Sequence, residues 1–153
     1  MRWLLALATL CAAALPAIAG ADPPMSWVYI APLTPESQSA RLGYGVPATE
    51  DGLVSMDCRR ASGRLTITTW ADLASKGVVA TLTAGGARSR RTAKVEPNDI
   101  AEGVEISIST SSRDPVMAAF RQGAPLSVRL GKAVTRLPKV DPAAAENFFR
   151  FCG

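Results

Sequence analysis

The chain has 153 residues, 48% of them hydrophobic and 20% charged, with 17 Lys and Arg against 13 Asp and Glu and no histidine. The missing histidine excludes Ser–His and Cys–His nucleophile activation, histidine general-base catalysis and the commonest zinc ligand. The net charge of +4 is mild; it favours anionic neighbours without naming one.

Arg2 precedes an apolar run, Trp3 to Ile18, that ends in Ala17-Ile18-Ala19-Gly20-Ala21. A basic start, a short apolar stretch and a small-residue site form a secretory signal peptide, residues 1–21, cut after Ala19 or Ala21. The run is too short for a membrane span of about 20 apolar residues, and Leu10 before Cys11 argues against a lipid-modified cysteine. Cleavage removes Arg2 and Cys11. The mature charge becomes 16 − 13 = +3, and the cysteines left are Cys58 and Cys152. Residues 22–153 are the size of one domain, expected in the periplasm or secreted, with no stable membrane insertion.

Trp27-Val28-Tyr29-Ile30 reads as a first strand, ended by Pro32 and Pro35, and Ser39 to Tyr44 as a second, closed by Gly45-Val46-Pro47. Val54, Met56 and Cys58 alternate with Ser55 and Asp57, the period of a half-buried strand. Ala61-Ser62-Gly63 turns into Leu65 and Ile67, alternating with Thr66 and Thr68, so this pair reads as a hairpin. The alternation returns at Val78-Ala80-Leu82, Val104-Ile106-Ile108 and Leu126-Val128-Leu130. Gly131-Lys132 then turns the chain into Val134 to Leu137.

Two segments break this rhythm. Asp114-Pro115 caps and starts a helix with Val116, Met117 and Phe120 on its apolar face, and Gly123 stops it. Asp141-Pro142 starts another, in which Ala145, Phe148, Phe149 and Cys152 share a face. Cys152 therefore lies on the apolar stripe of the last helix and Cys58 on the apolar face of a strand. A disulfide between them docks that helix on the inner face of the sheet. The expected fold is mostly β, an antiparallel sheet or sandwich with one or two short helices.

No catalytic pattern emerges. No lysine has a serine three positions before it, and there is no Gly-x-Ser-x-Gly elbow and no phosphate-binding glycine loop. The carboxylates Glu50, Asp51, Asp57, Asp99 and Glu102 fall in loops and on an outward strand face, where solvated charge is the default, and they do not form a calcium cage. The expectation is a protein that is not an enzyme and needs no cofactor or metal.

The densest basic stretch is Arg88-Ser89-Arg90-Arg91-Thr92-Ala93-Lys94. On a strand, Arg88, Arg90 and Lys94 share a face. The plain reading is a solvated edge strand whose cations discourage aggregation; the functional reading is a face for an anionic envelope polymer or an envelope protein. Nucleic acid is not expected, since no aromatics interleave with the cations. Trp27, Tyr29, Tyr44 and Trp70 either form an aromatic surface or fill the core. Residues 44–52 form the longest turn-like stretch, and loops carry function more often than cores. Tyr44, Pro47, Glu50 and Asp51 are its candidate binding residues.

The motifs Tyr44-Gly45-Val46-Pro47-x-Thr49-x-Asp51, Leu82-Thr83-Ala84-Gly85-Gly86-Ala87-Arg88-Ser89, Phe120-x-x-Gly123 and Phe148-Phe149-x-x-Cys152 resemble a group of small exported proteobacterial proteins of uncharacterised activity. The order of elements is also similar to the VasI/TagO accessory proteins of type VI secretion, through Cys58-Arg59, the Leu65 to Trp70 strand and the terminal cysteine. From Val54 to Gly86 the chain resembles exported lysozyme inhibitors. These resemblances imply a binding or accessory module of the cell envelope or, alternatively, an inhibitor of a cell-wall hydrolase.

Overall fold

The computed structural model describes residues 24–34, 36–47, 52–71, 79–97 and 103–153. The expected signal segment, 1–21, lies outside them. Among the described residues, nine strands form one antiparallel, curled sheet. They are β1 Ser26–Ile30, β2 Ser39–Gly45, β3 Gly52–Arg59, β4 Arg64–Ala71, β5 Val79–Ala84, β6 Ala87–Pro97, β7 Val104–Ser111, β8 Leu126–Leu130 and β9 Ala133–Leu137. Two helices complete the fold, α1 Pro115–Arg121 and α2 Pro142–Cys152. The strand order is β1-β2-β3-β4-β7-β6-β5-β8-β9. The expected β3–β4 hairpin is present, with Cys58 opposite Leu65 and Met56 opposite Ile67.

The alternation that predicts the strands also divides the sheet into two faces. Leu42, Met56, Ile67, Ile108, Leu82 and Val128 point inward and are fully buried. The inner face is covered by the helices, with α1 against β5 and β6 and α2 against β1, β2 and β3. Trp27 ties these layers together. Its ring lies 5.2 Å from both Tyr44 and Phe120, and its indole N–H donates to the Pro138 carbonyl at 3.0 Å.

The basic run forms an interior strand, which corrects the edge-strand reading; the sheet edges are β1 and β9. Strand β6 is long because it serves two ladders. Ala87 to Thr92 pair with β5, whereas Ala93 to Pro97 pair with β7. Where the ladders part, Asp114 occupies the wedge. Its carboxylate accepts from the Val116 N–H at 2.9 Å, capping α1, and from Arg91 and Thr110 at 2.5 and 3.2 Å. Pro115 sets the first helical position, where its missing N–H costs nothing.

Helix α2 begins in the same way, with Asp141 accepting from the Ala144 N–H at 2.9 Å. At its other end, unpaired carbonyls meet the β3–β4 turn. Ala61 N–H donates to Phe151 and Gly63 N–H to Cys152, at 2.9 and 2.8 Å. Gly63 has φ +62°, a left-handed conformation that glycine adopts without steric cost. Beside this contact Cys58 and Cys152 form the expected disulfide, with their Cα atoms 5.7 Å apart and 94 residues between them in sequence. Across the surface of the helix pair, Arg121 bridges Glu146 at 2.7 Å, and this hydrogen bond holds the Glu146 carboxyl below the usual range.

Two measurements test this framework. The oxidised protein should show no alkylatable thiol by mass, and reduction should lower its Tm. The loss is bounded by about 4.7 kcal/mol, the chain-entropy value for a loop of ~100 residues. Asp114→Ala should cost about 2–4 kcal/mol in denaturant unfolding, since it removes a helix cap and leaves Arg91 without its partner. Asp114→Asn, which keeps the cap, should cost less.

Candidate functional site

The outward face of β1–β4 and β7 carries a groove of about 720 Å³. Register explains its floor. Val28, Gly43, Ser55 and Thr68 stand opposite one another on successive strands. A row of small side chains thus crosses the sheet at right angles to the strands, with Val28 at one end. The next row on one side is Ile30, Arg41, Asp57 and Thr66. On the other side Trp70 stands opposite Glu105. Val28, Ile30 and Trp70 are 37%, 48% and 41% exposed, so three large apolar groups face water around a floor of small ones.

Gly43 is the residue that opens the groove. Glycine inside a strand costs roughly 0.5–1 kcal/mol relative to alanine, and nothing in the fold requires it at this position. A Cβ added there meets no atom within 4 Å, and Gly43 is not among the residues of positive φ. Glycine inside a strand is found at bulges, at tight bends and where a ligand or another backbone approaches closely. The register shift in β2 follows directly, between Tyr44 and Gly45, while Gly43 itself keeps regular pairing with Val28 and Ser55.

The polar groups of the groove are unevenly committed. Arg41 Nε donates to Asp57 Oδ1 at 2.7 Å, and the Ser55 hydroxyl donates to Asp57 Oδ2 at 3.2 Å. Glu105, at the Trp70 end, makes no ion pair among the described residues. The groove therefore offers a wide apolar rim, a paired charge at one wall and an unpaired carboxylate at the other.

Of the residues expected to bind, Tyr44 and Pro47 line this groove together with Gly45, Val46 and Gly52. Glu50 and Asp51 lie outside the described residues. So do Asp99 and Glu102, leaving Asp57 as the described member of the carboxylate set, held in its ion pair. Arg88, Arg90 and Lys94 are exposed on the outward face of β6 as the alternation implies, but they do not act as one stripe. Lys94 lies in the part of β6 that pairs with β7 and bridges Glu96 at 2.7 Å. Arg88 and Arg90 face outward across from β5, away from the groove.

The aromatics also separate. Trp27 is core, Tyr29 and Tyr44 pack partly buried against it, and Trp70 faces out. Val28, Ile30, Arg41, Gly43 and Glu105 were missed as site residues. Gly43 carried the available signal, a glycine in the middle of a strand with no turn chemistry around it. Comparison of the chain with protein-family models, with curated proteins and with solved structures gives no match.

Gly43→Val tests whether this position is kept open for a ligand. The variant should fold with a Tm equal to or above the parent's, since valine suits a strand and has free space there. A drop in Tm of several degrees would show that Gly43 serves the fold itself.

Proposed function

We propose that this chain is a non-enzymatic binding module of the cell envelope that recognises a protein partner through the groove around Gly43. The open floor at Gly43 carries this reading, because the fold gains nothing from leaving it empty. A ring of exposed apolar side chains of this kind marks interaction surfaces. Val28, Ile30 and Trp70 fit a large apolar anchor on the partner, and the unpaired Glu105 favours a basic residue beside it. The ends of the 44–52 loop frame the same opening, which joins the loop and the groove in one recognition surface.

The envelope location rests on the signal sequence and the disulfide. A bridge of this kind persists in oxidising compartments, and no helix among the described residues is long and apolar enough to cross a membrane. The absence of histidine and the engagement of Asp57 by Arg41 support recognition rather than catalysis.

The test is affinity capture from solubilised envelope extract on the immobilised, oxidised protein, with retained proteins identified by mass spectrometry. One enriched protein should be retained, and Gly43→Trp, which fills the floor, should abolish its retention. Trp70→Ala should weaken it by about 2 kcal/mol, the size of an interface hot spot. Retention that both variants leave unchanged would overturn the assignment of the groove.

A further inference from the structure

The sheet carries a second surface that sequence order conceals. On β5, β6, β8 and β9 the register brings outward residues into two rows. One row runs Arg90, Thr81, Arg129 and Val134, and its neighbour runs Arg88, Thr83, Ser127 and Arg136. All four arginines are exposed, and none forms an ion pair among the described residues. No acidic residue shares these rows. In the other half of the sheet the outward cations do not gather: Arg41 and Lys94 are each bridged to a carboxylate, and the exposed Arg59 and Arg64 lie at the turn end of the β3–β4 hairpin.

We propose that this four-arginine face binds a linear acidic polysaccharide. Strand geometry places Arg88 and Arg90 about 7 Å apart along β6, with Arg129 about 10 Å from Arg90 across β5 and Arg136 about 14 Å from Arg88. A chain with an anionic group on every one or two sugars presents charges at such intervals. Guanidinium groups take carboxylate or sulfate oxygens in bidentate fashion, and Thr81, Thr83 and Ser127, lying between them, exchange hydrogen bonds with sugar hydroxyls. The companions of the arginines disfavour other polyanions. The rows hold no aromatic residue on which a nucleic-acid base would stack. They also lack the long apolar or aromatic side chains with which a membrane-binding face enters the lipid. Charge complementarity selects the anion, and the hydroxyl-rich floor selects a sugar chain.

The site is independent of the groove, and its test keeps the two apart. Binding of the oxidised protein to polygalacturonate and to dextran sulfate, with neutral dextran as reference, is measured by isothermal titration at low salt. The parent should bind both acidic polymers and not dextran, and added salt should weaken binding by screening. Changing Arg88, Arg90, Arg129 and Arg136 together to Gln should reduce affinity roughly tenfold or more. A charge-matched control, R59Q/R64Q/R113Q/K139Q, removes exposed cations elsewhere and should leave affinity within about twofold, because screened distant charges contribute little. Gly43→Trp should bind the polymers normally, and the four-arginine variant should keep the parent's Tm, which shows that it is folded. Equal losses in the two charge variants, or none in either, would overturn the proposal. So would binding to phosphatidylglycerol vesicles without binding to the polysaccharides.

Discussion

The buried carboxylate of Asp114 is the constraint around which the sheet is arranged. It is the charged side chain found buried among the described residues, and burial of an unpartnered carboxylate would be prohibitive. Its acceptor capacity is taken up by one backbone N–H of α1, one guanidinium of β6 and one hydroxyl of β7. These groups come from the three elements that meet where β6 leaves β7 for β5. Opening a ladder exposes backbone and apolar surface. A helix started at that point covers both, and Asp114 starts it there. The sheet then curls over its helices, and its whole outward side is left to solvent.

That outward side carries two chemistries divided along β6. The β1–β4 and β7 part has small residues in its middle row, apolar groups at its rim and charges of both signs, Arg41 and Asp57 being paired. The β5, β8 and β9 part, with the first half of β6, has arginines without carboxylates. Neither surface serves the core. An exposed guanidinium gains little from the fold, and a strand glycine loses something to it. Residues kept on a rigid sheet against local stability are best understood through what they meet outside the molecule.

Much of the architecture was legible because it depends on local rules. Alternation in Val54 to Cys58, Val104 to Ser109 and Leu126 to Leu130 reports one buried face, and Asp114-Pro115 and Asp141-Pro142 are helix starts with a physical cause. The cysteines could be paired because each lies on an apolar stripe. What escaped depends on which strands become neighbours. Arg88 and Lys94 share a strand face yet belong to different ladders, while Arg129 and Arg136 join Arg88 only through the order β6-β5-β8-β9. Trp27 and Trp70 both occur in alternating strands, and which one faces the core is fixed by register rather than by residue type. Gly43 reads as a weak strand residue until its neighbours across β1, β3 and β4 are known.

The bridge between Cys58 and Cys152 also has a temporal meaning. Hairpins such as β3–β4 and β8–β9 close short loops, but β4 must find β7, pairing Arg64 with Ser111, and α2 must return to strands formed from the beginning of the domain. Non-local pairings of this kind are the slow steps of folding. Cys58 lies on the inner face that α2 covers, so Cys152 reaches it only where α2 is docked. Its oxidation to the bridge with Cys152 therefore records that the two ends of the domain have met.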